Sequence, residues 1–247
     1  MMNYSDRTEW KINESTFIYD VQAVSMPDLP DSSLLSCRFA PAHYHDSLFL
    51  RHGLPLPATL AQSVVKRRAE YLAGRYLCKK MLDVHGLPSI VPSGASREPI
   101  WPAGWLGSIT HTRDMAISCL CRDSDIALLG IDLEAWMDDS LASNIADTII
   151  DQHERQLLAG PWRFSQGLSL VFSAKESFFK AAFPLVKRYF DFDGVRMVDI
   201  DYAAKRFSLR VAEPLAPELP RGRILTGSFQ YDEKSVFTVL AQRPSLS

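Results

Sequence analysis

Ile126-Ala127-Leu128-Leu129, running straight into Gly130-Ile131-Asp132-Leu133-Glu134, reads as a core strand that ends on two carboxylates. Side chains alternate between the faces of a strand. Asp132 and Glu134 therefore point one way, while Ile131 and Leu133 point into a core. The apolar run ahead of them should hold the carboxylates rigidly. About forty residues on comes Phe172-Ser173-Ala174-Lys175-Glu176-Ser177-Phe178-Phe179-Lys180, in which Glu176 and Lys180 stand one helical turn apart on one side. Either segment alone reads equally well as an ordinary charged face. Together they bring three carboxylates and one or two ammonium groups around one point. That donor set suits Mg²⁺, which prefers oxygen ligands and uses only one or two carboxylates beside water and phosphate. The flanking residues Leu168, Leu170, Val171, Phe178, Ala181, Ala182 and Phe183 imply a largely buried helix, and buried charges need partners.

Working outward, Thr59-Leu60-Ala61-Gln62 fits a capping box, with a helix expected from there to Val84 before Gly86 and Pro88. Val65, Leu72, Tyr76 and Leu77 are its expected buried side. Lys66, Arg67, Arg68, Arg75, Lys79 and Lys80 stand against Glu70 alone, a local cationic excess that suits a small polyanion. Arg68 and Arg75 share one stripe, with Arg67 somewhat around the cylinder. Residues 89–107 read as loop and turns, with Arg97 at a rigid turn before Pro99. Ser108-Ile109-Thr110-His111-Thr112 offers hydroxyls and an imidazole as donors to phosphate oxygens.

Short strands are expected around Phe17–Val21 and Leu35–Phe39, then at Gly107–Thr112, Met115–Cys121 and Ala127–Glu134. Helices follow at Leu141–Leu158 and from about Gln166 to Phe183, the latter ending before Pro184. Strands at Gly194–Ile200, Phe207–Val211, Ile224–Tyr231 and Val236–Ala241 close the chain, with a hairpin turn at Asp232–Ser235. This order predicts an α+β protein of two halves, residues 1–125 and 126–247, each a long helix on a small antiparallel sheet.

The 247 residues are 47% hydrophobic and carry a formal net charge of -2, so bulk nucleic-acid binding is not expected. Cys37, Cys78, Cys119 and Cys121 form no CxxC pair, which favours a reduced, cytoplasmic setting. His43-Tyr44-His45 lacks the companion ligands of a zinc site. Met1-Met2-Asn3-Tyr4-Ser5-Asp6-Arg7 is too polar for a signal peptide, and no apolar stretch is long enough to span a bilayer.

In order and spacing, these segments resemble the Sfp-type 4'-phosphopantetheinyl transferases, and among them the enterobactin synthase component D subgroup. The matching stretches are Lys66 to Arg75, Trp101-Pro102-Ala103-Gly104 leading to Gly107-Ser108-Ile109-Thr110-His111, Gly130 to Glu134, Phe172 to Ala181, and Phe183 to Arg188. They are collinear over roughly residues 59–195. Thr110 stands where many relatives have serine, a change that keeps the hydroxyl.

The resemblance implies the 4'-phosphopantetheinyl transferase fold, with two halves related by a pseudo-twofold. It implies transfer of the phosphopantetheine arm of coenzyme A to a serine of an acyl or peptidyl carrier protein, releasing adenosine 3',5'-bisphosphate. By position, Asp132, Glu134 and Glu176 would bind Mg²⁺ (or Mn²⁺), with Glu176 also the base for the carrier serine. Lys180 would neutralise the leaving phosphate, with Lys175 close by. Arg67, Arg75, Arg97, Ser108, His111, Lys175 and Lys180 would hold coenzyme A, and helix geometry alone leaves Arg68 as an alternative to Arg67. The expected partners are coenzyme A and a carrier protein of nonribosomal peptide, siderophore or polyketide synthesis. The expected state is a monomer that binds no nucleic acid. The competing readings are a Mg²⁺-dependent nucleotide phosphohydrolase and a catalytically silent carrier-binding module.

Overall fold

In a computed structural model, residues 15–29 and 32–243 are described; the polar stretch at residues 1–7 lies outside them. In chain order, the strands are β1 Ile18–Ala23, β2 Ser33–Phe39, β3 Trp105–His111, β4 Met115–Arg122 and β5 Leu128–Ala135. They continue with β6 Val195–Asp201, β7 Arg206–Val211, β8 Ile224–Tyr231 and β9 Ser235–Gln242. The α-helices are α1 Ser47–Arg51, α2 Ala58–Ala61, α3 Val65–Val84, α4 Asp139–Ile149, α5 Gln152–Leu157 and α6 Phe164–Val186. The fold is α+β with antiparallel sheets.

Contacts divide the chain into two units. One takes the described residues up to Pro102 with His111–Leu120, and the other takes Ala103–Thr110 with the residues from Cys121 on. In the first unit β1 pairs with β2 and β2 with β4, and α3 packs on β2. Leu72, Tyr76 and Leu77 form the buried side of α3 as the spacing predicts. Val65 does not: it opens the helix and is 47% exposed. The helix expected from Thr59 is also interrupted. Thr59 falls within the single turn of α2, behind the extended cap residue Pro57, and α3 starts afresh after Val64, whose backbone is also extended.

The second unit carries a five-stranded sheet in the order β5-β9-β8-β7-β6. Helix α6 lies across β5 and β9. The core between helix and sheet includes Leu168, Val171, Phe178, Leu209, Phe229 and Leu240. A polar seam runs beside it. The Thr238 and Ser177 hydroxyls both reach the Ser173 carbonyl, at 2.9 and 3.0 Å, and lie 2.8 Å from each other. Thr238 is the cross-strand neighbour of Asp132, so this seam and the carboxylates share one face of the sheet.

Two helical expectations are corrected here. The single helix over Leu141–Leu158 is two, because Asp151 ends one segment and caps the next through a reciprocal capping box with Glu154. Helix α6 continues through Pro184 to Val186 and closes on Lys187 in the left-handed region. A proline there removes only one hydrogen bond, that to the Lys180 carbonyl, and the helix needs just two more residues. The Asp232–Ser235 turn forms as expected, with the Asp232 carboxylate accepting from the backbone of Lys234 and Ser235.

Gly130 sets the approach of α6 to β5. A Cβ at this position would fall inside the van der Waals envelope of the Ser177 carbonyl oxygen and Ala181 nitrogen, both helix backbone atoms that cannot swing aside. Gly130→Ala should therefore destabilise the fold by about 1–3 kcal/mol, the range for overpacking a tight contact. Denaturant titration of the variant beside the parent chain checks this.

Candidate functional site

The shared face of β5 and α6 gathers Asp132, Glu134, Glu176 and Lys180 in the second unit. Asp132 is 3% exposed. Its Oδ1 accepts from Lys180 Nζ at 2.6 Å and from the Thr110 hydroxyl at 3.1 Å. Lys180 Nζ also donates to the Ile131 carbonyl at 3.2 Å. Asp132 Oδ2 is buried and accepts nothing among the described residues. Glu134 and Glu176 are half-buried beside it.

The electrostatics follow from this crowding. Glu134 is pushed up to about 8 from its ordinary 4.5, first by burial and then by the Asp132 charge, with Lys180 opposing and Glu176 adding. Burial also raises Glu176, partly offset by Lys180 and reinforced by Asp132. Among the described residues one ammonium group thus faces three carboxyl groups, and in the absence of further cations the repulsion is relieved by protons held on Glu134 and Glu176.

Ser108 and Thr110 lie on one face of β3 and act on the free edge of β5. The Ser108 hydroxyl accepts from the Ile131 N–H at 3.0 Å, and the Thr110 hydroxyl accepts from the Leu133 N–H at 2.9 Å. Two side chains so satisfy backbone donors of an edge strand that would otherwise be left unpaired. Thr110 then donates its own hydroxyl hydrogen bond to Asp132 and fixes that carboxylate. Ser108 itself is buried against β5. Sequence reading saw both hydroxyls and missed this work, because it depends on which strand edge lies beside them.

Lys175 and Glu176 are adjacent but have separate surroundings, since about 100° of helix rotation separates neighbours. Lys175 is 2% exposed. Its Nζ donates to the Ile149 carbonyl at 2.7 Å, the Phe192 carbonyl at 3.1 Å and Glu154, with an N–O distance of 2.8 Å to Oε1. Glu154 in turn accepts from the backbone N–H of Met197 at 2.7 Å and of Asp151 at 3.0 Å. All three ammonium protons have partners, none of them Asp132, Glu134 or Glu176. Glu154 was not singled out from the sequence; the signal that could have found it is its place three residues after Asp151, the spacing of a capping box.

In the first unit, Glu70 is buried in α3, with its carboxylate 3.8 Å from Lys66 Nζ and 3.9 Å from His111 Nδ1. Burial raises Glu70, and Lys66 and Arg67 pull it back. Arg67 is exposed. Arg68 is held instead, donating to Asp46 at 2.7 Å with its guanidinium 5.8 Å from the Tyr44 ring centre. Arg75 is buried, stacked 4.8 Å over Tyr71 and donating to the Ser93 hydroxyl at 3.2 Å, with its Nε lacking a hydrogen-bond partner among the described residues. Arg97 is exposed at a left-handed turn position, φ 67°.

The donor set of the second unit consists of hard oxygens. The orphaned Asp132 Oδ2 and the raised Glu134 and Glu176 carboxyls fit a divalent cation such as Mg²⁺. Among the described residues, no three His, Cys, Asp or Glu side chains already stand together as a ligand cage. Side-chain adjustment of Glu134 or Glu176 would accompany metal entry.

Residues 56–121 match the 4'-phosphopantetheinyl transferase N-terminal domain, and residues 128–221 match the 4'-phosphopantetheinyl transferase superfamily. The chain is 34% identical over 200 residues to enterobactin synthase component D of Salmonella typhi, covering 81% of this chain and 80% of that protein. It is 34% identical over 162 residues to the 4'-phosphopantetheinyl transferase Svp of Streptomyces mobaraensis, covering 64% of each. Against the 4'-phosphopantetheinyl transferase PptT of Mycobacterium tuberculosis it is 34% identical over 146 residues, 56% of this chain and 63% of that protein. The chain belongs to the 4'-phosphopantetheinyl transferase superfamily. It is a transferase that uses coenzyme A as a substrate and acts on carrier proteins. No helix among the described residues is long and apolar enough to cross a membrane.

Two predictions follow from the charge arrangement. A carboxyl raised to about 8 binds its proton more tightly in the folded state, so the contribution of Glu134 to stability is fully present below about 4.5 and is lost as pH rises through about 8. In chelator, the thermal midpoint should decline over that window more steeply for the parent chain than for Glu134→Gln. Lys175→Met should cost about 3–5 kcal/mol by stranding Glu154. Its KM for coenzyme A, measured at a temperature where the variant is folded, should stay near that of the parent.

Proposed function

We propose that Asp132, Glu134 and Glu176 hold Mg²⁺ against the pyrophosphate of coenzyme A, and that Glu176 and Lys180 manage the proton and charge of the transfer. The observation that carries this reading is the buried Asp132 Oδ2, without a hydrogen-bond partner among the described residues, beside two half-buried carboxyls whose acidity is suppressed. Bound there, the cation supplies Lewis acidity and a template for in-line displacement.

The chain's own residues do the rest. Glu176 accepts the proton of the carrier serine hydroxyl as the new serine oxygen–phosphorus bond forms. The bond between that phosphorus and the bridging oxygen of the pyrophosphate breaks, and adenosine 3',5'-bisphosphate leaves. Lys180, one turn beyond Glu176, sets positive charge beside the leaving phosphate, as phosphoryl transfer requires positioning and neutralisation above all. Thr110 holds Asp132 in place, and Lys175 with Glu154 anchors the helix that carries Glu176. Arg67, Arg75, Arg97 and His111 bind coenzyme A phosphates. Among these, exposed Arg67 is favoured over Arg68, which Asp46 already engages.

The enterobactin synthase component D name borne by relatives supports a carrier protein of siderophore or other nonribosomal peptide synthesis as acceptor. A cytoplasmic monomer organised as halves 1–125 and 126–247, binding no nucleic acid, completes the proposal.

Incubation with coenzyme A, Mg²⁺ and an apo carrier protein should add the phosphopantetheine mass to the carrier. Cleavage of coenzyme A without that gain would instead indicate a phosphohydrolase. Asp132→Ala and Glu176→Gln should each lower turnover by roughly two to four orders of magnitude. Near-normal turnover with unchanged metal dependence in either variant would overturn the site assignment.

A further inference from the structure

The edge of the five-stranded sheet opposite β5 carries a second charged feature, which the transferase reading does not use. A cavity of about 210 Å³ is lined there by Arg196, Arg210, Val211, Ala212, Arg221 and Gly222. Four strand spacings of about 4.8 Å separate β6 from β5, placing this cavity roughly 19 Å along the sheet from the carboxylates.

Arg196 and Arg210 are direct cross-strand partners on β6 and β7. Like charges opposed in this way repel each other. The third arginine arrives from the β7–β8 connection, whose backbone is pinned. The Gly222 N–H donates to the Val211 carbonyl at 2.8 Å, and the Val211 N–H donates to the Arg223 carbonyl at 2.9 Å. Gly222 adopts φ 88°, a conformation that favours glycine, so Arg221 is presented from a defined turn. The carboxylate facing the group is Asp151, 3.1 Å from Arg196 Nε. Glu213, next to the cavity lining, pairs with Arg188 at 3.9 Å. Arg210 and Arg221 have no ion pair among the described residues.

Three arginines line one concavity, one of them paired with a carboxylate among the described residues, and such a cluster suits an anion with several oxygens. The planar fork of arginine matches phosphate oxygens two at a time. The cavity is smaller than the roughly 300–1,000 Å³ of pockets that enclose a whole drug-sized ligand. Val211, Ala212 and Gly222 leave a small apolar floor for the atoms next to the charged group. We propose that Arg196, Arg210 and Arg221 form an oxyanion site that takes a phosphate monoester group, separate from the coenzyme A substrate site.

The test is titration of the full chain, labelled with ¹⁵N, with inorganic phosphate and with glycerol phosphate at matched ionic strength. Sodium chloride and acetate serve as controls. Saturable shifts of the Arg196, Arg210 and Arg221 Nε–Hε resonances are expected with both phosphates and not with chloride or acetate. A tighter response to glycerol phosphate is expected, and a tighter response to inorganic phosphate would identify the free ion as the ligand and overturn the ester assignment. Arg210→Gln and Arg221→Gln should each weaken binding about tenfold, the scale of one charge-assisted hydrogen bond, and leave carrier modification unchanged. Undiminished phosphate affinity in Arg221→Gln, shifts reproduced by chloride, or shifts confined to Arg67 and Arg75 would each overturn the proposal. Arg221 lies in an exposed turn, so its variant carries the comparison even if Arg210→Gln fails to fold.

Discussion

Contact between the backbone of α6 and β5 at Gly130 is the constraint on which the second unit depends. Only a residue without a Cβ lets the helix carbonyl of Ser177 settle against the strand. Two residues along the same strand face, that closeness brings Asp132 within 2.6 Å of Lys180. One residue before Ser177, it sets Glu176 at the same cluster. On the β9 side, Ser173, Ser177 and Thr238 close the seam with hydroxyl hydrogen bonds in place of bulky side chains. The acidic cluster therefore rests on rigid secondary structure at both ends.

Consecutive residues of α6 illustrate how burial separates structural charge from reactive charge. The Lys175 ammonium has a partner for every proton, and its counter-ion Glu154 is satisfied by backbone donors from Met197 in β6 and from Asp151, the cap of its own helix. Such a saturated pair ties α4, α5 and β6 to the helix. Glu176 stands instead beside Asp132 and Lys180, and burial, reinforced by the Asp132 charge and opposed by Lys180, holds its proton more tightly. Unsatisfied charge of this kind is characteristic of sites that bind ions or move protons.

The first unit treats its arginines in the same way. Arg68 is committed to Asp46, and Arg75 is buried against Tyr71 and Ser93, whereas Arg67 faces solvent. Helical spacing grouped Arg68 with Arg75, and that grouping carried no information about their partners. Asp46 and Ser93 lie in distant loops, and no periodicity within α3 points to them.

Much of this protein was legible from local sequence. Alternation placed Asp132 and Glu134 on one strand face, helical spacing put Glu176 beside Lys180, and strand limits from Gly107 onward came within a residue or two of those observed. These features depend on periods of two and 3.6 residues, which a chain expresses locally. The breaks at Gln62–Val64 and Ile150–Asp151 were less legible, because propensity was continuous there and caps decided the outcome. Tertiary structure alone decided that Lys175 is saturated by Glu154, that Ser108 and Thr110 serve the edge of β5, and that three arginines from separate strands and a turn line one cavity. Each depends on groups brought together from distant parts of the chain, and burial then determines whether their charges are satisfied.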